Sequence, residues 1–308
     1  MLLGFLLLVI GGEYLVRASV GLSFKLNLSK MVIGLTVVSF ATSFPELLVS
    51  LNAALQGAPA IAINNVIGSN IANIGLVLGI TAICTTIEVD PSFYKFNWPA
   101  LLIFSLLLYA FMQNDQQLTS FEGAVLFIAL LVFIVLLIKR SRRTNLETDP
   151  EMDTLSEVSY FKIIIWLTVG GMALYYGADW LVDGAIVVAE QMGVSEAVIS
   201  VSLVALGTSI PELSASIVAV MKKEKSLSLG NLIGSNIFNI GSVLGLTAIV
   251  DSIPIEDTQI LSRDVLWMLV FAAVILPLIL LTKRHKLQFK KGFFLVLLYA
   301  VFMLLVFK

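Results

Sequence analysis

Cysteine and histidine each occur once in the 308 residues, and charged side chains make up only 13% of the chain. The lone Cys84 excludes an internal disulfide and a thiolate metal cluster. The lone His285 lies in the basic run Lys283-Arg284-His285-Lys286, where a solvated ring is expected rather than a catalytic one. Soluble globular chains carry roughly 25% charged residues. Half that share, with a mean hydropathy of +0.99, leaves too little polar surface to solvate a globule. A long polar tract is also missing, except for Lys139 to Val158. No soluble domain or separate regulatory module is therefore expected, and nothing calls for a nucleic-acid or obligatory protein partner. The apolar start Met1–Ile10 lacks a basic flank, and Glu13 and Arg17 follow within the same stretch. It reads as a first spanning helix rather than a leader.

What the chain has in abundance is apolar segments near the ~20 residues that cross a bilayer. Ten fit, at about 2–23, 31–55, 60–84, 97–113, 119–138, 160–189, 196–221, 227–250, 264–282 and 291–307. The expected fold is an all-α polytopic membrane protein. Its first five-helix half is 1–138, its linker 139–158 and its second half 159–308. With the N-terminus outside, inward loops collect sixteen of the 19 lysines and arginines. This bias sets orientation, makes the linker cytoplasmic and puts both termini outside a cell (inner) membrane.

The halves are copies. Shifted by 166 positions, segment 11–83 falls on 177–249 without a gap. Ser39-Phe40-Ala41-Thr42-Ser43-Phe44-Pro45-Glu46 then meets Ala205-Leu206-Gly207-Thr208-Ser209-Ile210-Pro211-Glu212, and GSNIANIG at 68–75 meets GSNIFNIG at 234–241. Across 65–83, 15 of 19 positions are identical. An odd number of helices per half makes the copies antiparallel, the inverted repeat of secondary transporters, which puts the site near the midplane.

Each copy places a proline and a glutamate deep in an apolar helix. An ionisable group at mid-bilayer costs at least ~2.5–3.5 kcal/mol, so it faces a cavity or a partner. One such carboxylate can be a neutral, hydrogen-bonded acid; a matched pair, Glu46 and Glu212, points to function. Pro45 and Pro211 have no N–H, which frees the carbonyls of Ala41 and Gly207. Thr42 and Glu46 are four apart, as are Thr208 and Glu212, Ser69 and Asn73, and Ser235 and Asn239; that spacing shares a helix face. Small polar residues of this kind can also serve only as packing. Together the set offers carboxylate, hydroxyl, amide and carbonyl oxygens with no thiol or imidazole. It suits Na⁺, Ca²⁺ or Mg²⁺, and a dry site favours Ca²⁺ or Na⁺ over the reluctantly dehydrating Mg²⁺.

The paired ATSFPE and GTSIPE, each followed by GSNI-x-NIG, closely resemble the two alpha repeats (31–84 and 196–250) of the cation/calcium exchanger superfamily, in the form of its sodium/calcium exchanger branch. The resemblance implies a non-enzymatic secondary antiporter, exchanging about three Na⁺ for one Ca²⁺ by alternating access, with no cofactor beyond the transported ions. It implies Glu46 and Glu212 as calcium carboxylates, helped by carbonyls of Thr42 and Thr208. Sodium would use Ser43, Ser69, Ser209 and Ser235, with carbonyls near Ser39 and Ala205. Many relatives carry an aspartate where this chain has Asn73 or Asn239, and the amides argue against potassium coupling. Ala41 replaces the usual glycine of the first motif.

Charge balance gives the exchange a physical cause. One Ca²⁺, or two Na⁺, cancels two carboxylates, whereas burying uncompensated charge costs several kcal/mol. Only a filled or protonated site should cross. A Ca²⁺/H⁺ (or other cation) antiporter using the same pair is the alternative. An intramembrane hydrolase lacks its catalytic residues here, and a passive channel would be told apart by its flux. Glu13 and Arg17 should pair along their helix, and Asp179 and Asp183 should face water or headgroups.

Overall fold

The computed structural model describes residues 1–114, 116–141, 155–191, 207–255, 257–281 and 285–306. Among these, eight helices are long and apolar enough to cross a membrane. They are α1 (Leu2–Leu26), α4 (Ala60–Cys84), α5 (Phe93–Gln113), α6 (Ser120–Ser141), α7 (Tyr160–Gln191), α9 (Lys225–Val250), α10 (Ile260–Leu280) and α11 (Phe289–Val306). The segment expected as one helix over 31–55 is instead two, α2 (Lys30–Thr42) and α3 (Phe44–Leu55), bent by 44° at Ser43; taken as one broken span, the pair brings the count among the described residues to nine. The tenth, expected over 196–221, is described only as α8 (Ile210–Met221), and 192–206 lie outside the described residues. Most of the linker, 142–154, lies outside them too. Its first residues, Lys139 to Ser141, are the last turn of α6 rather than loop. Large apolar side chains such as Phe5, Phe121, Ile128 and Leu304 are exposed, as lipid-facing helices require.

Local chemistry explains the breaks. α1 ends where Asn27 takes a left-handed conformation (φ 53°, ψ 47°), which asparagine tolerates, while the Leu28 N–H returns to the Ser23 carbonyl. α2 starts with the Ser29 hydroxyl accepting from the Val32 N–H. At Ser43 the backbone is φ −87°, ψ 3°, and at Ser209 it is φ −90°, ψ 0°. Each serine is followed two residues later by a proline that cannot donate to the preceding turn. The next helix restarts there: Leu47 N–H donates to the Ser43 carbonyl, and Leu213 N–H to that of Ser209.

Element boundaries recur at the 166-residue shift of the sequence. α3 (Phe44–Leu55) corresponds to α8 (Ile210–Met221). A π-helical stretch at Asn73–Leu78 within α4 corresponds to one at Asn239–Leu244 within α9. Strand β1 (Ile87–Glu88) corresponds to β3 (Ile253–Pro254). After α3 comes a left-handed Gly57 (φ 78°); after α8 the matching place is a left-handed Lys223 (φ 64°). Both turns close alike, Ala58 N–H to the Ala53 carbonyl and Glu224 N–H to that of Ala219.

The described chain forms two compact units, 1–42 with 137–231 and 43–136 with 232–308. In the first, α1 lies along α7, and α8 packs on α1. The α1–α7 approach needs glycine: a Cβ on Gly4 would come 2.8 Å from the Gly177 carbonyl oxygen, and one on Gly170 2.9 Å from the Leu15 nitrogen. In the same unit Glu13 pairs with Arg17 at 2.6 Å, as expected, and also with Lys222 at 2.8 Å. Lys30 pairs with the nearly buried Glu224 at 2.7 Å. Asp179 and Asp183 are exposed. In the second unit α5 packs on α10 and α11 on α4, and two antiparallel bridges tie loop ends. They are β1 with β4 (Lys286–Leu287) and β2 (Gln117–Leu118) with β3. His285, expected to be solvated, is partly buried, its ring 5.5 Å from that of Tyr94. Cys84 is free and exposed.

Candidate cation site

In the second unit α3 carries Glu46 in its first turn, directly after the Ser43 break. α3 packs against α4, which carries Ser69 and Asn73, and against the half of α9 that begins at Asn239. Six of the expected residues, Ser43, Glu46, Ser69, Asn73, Ser235 and Asn239, thus stand on three mutually packed helices. All six are buried, with Glu46, Asn73, Ser235 and Asn239 at 0% exposure. Asn73 and Asn239 open the two π-helical stretches, a local unwinding that recurs at functional sites.

Polar accounting singles out the amides. Neither Asn73 Oδ1 nor Nδ2 meets a hydrogen-bond partner among the described residues, and the same holds for Oδ1 of Asn236 and Asn239. Asn239 Nδ2 donates to Asn70 Oδ1 at 3.1 Å. Asn70 and Asn236, which occupy matching positions of the two copies, hold each other reciprocally. Asn70 Nδ2 reaches the Asn236 carbonyl at 3.2 Å, and Asn236 Nδ2 the Asn70 carbonyl at 3.0 Å. A buried polar group with no protein partner costs about 1–3 kcal/mol. Such groups persist where an ion or water completes them.

In the first unit Glu212 occupies the first turn of α8, one turn after the break at Ser209. α8 packs against α1, α7 and the Ser39–Thr42 turn of α2. Glu212, Ser39 and Thr42 are 0% exposed, Ser209 is 2% and Thr208 is half-buried. Ser209 Oγ has no hydrogen-bond partner among the described residues. Ala205 lies outside the described residues. The hydroxyls of Ser39 and Thr42 are committed to the fold. Ser39 Oγ donates to the Gly34 carbonyl at 2.7 Å and the Asn231 carbonyl at 2.9 Å, and Thr42 Oγ1 donates to Asn231 Oδ1 at 3.1 Å.

Two consequences follow for the expected set. A helix face shared by Thr42 and Glu46, or by Thr208 and Glu212, belongs to unbroken helix, and a non-helical serine stands between the members of each pair. The interruptions at Ser43 and Ser209 remove that continuity, so each threonine precedes a break and each glutamate follows one. Ser69 and Asn73, and Ser235 and Asn239, keep their shared faces, because helical backbone continues through them. Sequence reasoning missed Asn70, Asn236, Asn65 and Asn231. Their signal was present: all four belong to the N-x-x-GSN strings of the two copies, at 65–70 and 231–236.

The breaks also set the electrostatics. A helix N-terminus concentrates positive partial charge, and a carboxylate in its first turn gains up to ~2 kcal/mol in partly buried geometry. Withdrawing that carboxylate from water costs several kcal/mol. Opposite charge from a bound cation would offset a cost on that scale. Among the described residues no three of His, Cys, Asp and Glu come together as a metal-holding group, so a cation here would draw on the buried serine and asparagine oxygens of these helices as well as on the acids. That donor set fits hard cations.

Comparison with known proteins points the same way. Residues 1–139 and 162–308 match the family model described as sodium/calcium exchanger protein. The chain is 28% identical to the sodium/calcium exchanger MaX1 of Methanosarcina acetivorans, over 100% of this chain and 97% of the relative. It is 34% identical to the inner membrane protein YrbG of Escherichia coli, over 89% of this chain and 86% of that one. Among solved structures, one of the sodium-calcium exchanger NCX_Mj superposes with a TM-score of 0.82 at 31% identity, covering 99% of this chain and 97% of the other.

Proposed function

The chain belongs to the sodium/calcium exchanger family, and from that premise we propose that it exchanges Na⁺ for Ca²⁺ across a cell membrane by alternating access. As a multi-pass antiporter of this family it carries cations against calcium. The finer reading assigns Glu46 and Glu212 as the two carboxylates of one calcium site, with the carbonyls of Thr42 and Thr208. Ser43, Ser69, Ser209 and Ser235, with carbonyls near Ser39 and Ala205, serve sodium, and Asn73 and Asn239 complete the cation-binding set. The repeats are inverted and both termini face outward, a reading supported by the lysine and arginine bias of the loops.

The observation that carries this reading is the matched pair of acids. Each is fully buried, and each sits in the first turn of a helix that starts inside an apolar segment. An empty, ionised site is expensive to occlude, whereas a calcium-filled or sodium-filled one is not. Exchange rather than leak results. Solved structures of NCX_Mj concern extracellular ion exchange and binding-site occlusion, in keeping with this cycle.

The test is ⁴⁵Ca²⁺ uptake into sodium-loaded proteoliposomes. Wild type should accumulate calcium only against an outward sodium gradient, and Glu46→Gln and Glu212→Gln should each abolish uptake. Calcium flux driven by a pH gradient without sodium would replace this reading with Ca²⁺/H⁺ exchange.

A further inference from the structure

Asn231 is 1% exposed, and every polar group of its side chain is engaged in the first unit. Its Oδ1 accepts from Thr42 Oγ1 at 3.1 Å, and its Nδ2 donates to Ser216 Oγ at 3.3 Å. Its main-chain carbonyl accepts from Ser39 Oγ at 2.9 Å. Thr42 is the last residue of α2 before the break. Ser216 lies on α8 one turn beyond Glu212, on the same face. One amide therefore fastens the broken end of α2 to the helix that bears the acid.

The rest of the α2–α9 crossing makes this amide a fixed point. Gly34 and Gly230 bring the two backbones into contact: a Cβ on Gly34 would lie 2.5 Å from the Leu227 carbonyl oxygen. Two turns or so away, Lys30 pairs with Glu224. Neither helix can slide past the other without breaking one of these contacts. The matching position in the other copy behaves alike, with Asn65 Nδ2 donating to Ser50 Oγ at 3.4 Å on the helix that carries Glu46.

We propose that Asn231 is a positioning residue of the calcium site, holding the Thr42 end of α2 in register with Glu212 through its bonds to Thr42 and Ser216. The proposal rests on the cation-site reading above and adds to it a residue that need not touch the ion. A residue that only supports folding would change the amount of active protein and not its affinity. A positioning residue changes the apparent KM for calcium.

The experiment measures sodium-driven ⁴⁵Ca²⁺ uptake, normalised to reconstituted protein, for wild type, Asn231→Ala, Thr42→Val, Ser216→Ala and the Thr42→Val/Asn231→Ala double variant. Asn231→Ala should raise the KM for calcium about tenfold, equivalent to about 1.4 kcal/mol, with Vmax changed far less. Thr42→Val keeps the carbonyl and loses only the hydroxyl; it should raise KM in the same direction. The double variant should be no worse than the poorer single, because both remove one link. Should Asn231→Ala fail to fold, Thr42→Val and Ser216→Ala, each trimming one hydroxyl, carry the test alone. An unchanged KM with a reduced Vmax, or multiplicative single effects in the double variant, overturns the assignment. Wild type that takes up no calcium on a sodium gradient overturns the exchange reading instead, and this assignment with it.

Discussion

Replacing Asn73 by leucine sets stability against transport in one substitution. Both side-chain polar atoms of Asn73 are buried without a hydrogen-bond partner among the described residues, at 0% exposure. Each such atom sets the folded state back by about 1–3 kcal/mol. Leucine removes both and is the better helix former by a few tenths of a kcal/mol. Against this, a branched side chain in a packed interior costs about 1–3 kcal/mol in overpacking, and a water admitted beside the amide recovers part of the original penalty. The net gain for Asn73→Leu in sodium-free, calcium-free detergent is therefore about 1–3 kcal/mol. At about 2 °C per kcal/mol for a chain of this size, thermal unfolding at a fixed scan rate should move up by about 2–6 °C. Transport should move the other way, with a weaker dependence of calcium uptake on sodium, if Asn73 serves the proposed cation site. Equal or lower thermal stability together with unchanged sodium dependence would refute the reasoning, because Asn73 would then be an ordinary core amide.

Other perturbations test the frame around the site. Lys30→Met leaves the nearly buried Glu224 without its ion-pair partner and should destabilise by about 3–5 kcal/mol, read as a fall in detergent melting temperature. Lys30→Met/Glu224→Leu should recover most of that loss, and failure to recover would show that the pair does more than satisfy its own charges. Lys223 holds a left-handed backbone where the other copy uses glycine, so Lys223→Gly should stabilise by about 1 kcal/mol with transport intact; a lower melting temperature would contradict the strain argument. Asn65→Ala should raise the KM for calcium as Asn231→Ala does, since the same bond to a serine below the acid recurs there.

Much of this was legible before any coordinates. The boundaries of the eight unbroken described spans came within a few residues because apolar length is set by the bilayer, and Ala60–Cys84 matches the expected 60–84. The duplicated motifs marked both acids and both serine–asparagine pairs. What periodicity hid was the helix break. Pro45 and Pro211 signalled distortion, yet a 3.6-residue pattern continues through a break, so periodicity alone did not show that Ser43 interrupts the helix between Thr42 and Glu46. The hydrogen-bonding role of Asn231 was also hidden, because its partners Thr42 and Ser216 are far away in sequence. The Asn70–Asn236 pair escaped for the same reason: spacing within one helix carries no information about which amide meets which across the two copies.

Equilibrium calcium binding to purified protein, compared across wild type, Glu46→Gln, Glu212→Gln and the double variant, bears most directly on the claim that two acids serve one ion. The account predicts a single high-affinity calcium per chain, displaced by sodium, and lost in either single variant as completely as in the double. Retention of a fractional or full calcium site in each single variant, vanishing only when both acids are gone, would show two independent carboxylates and contradict it.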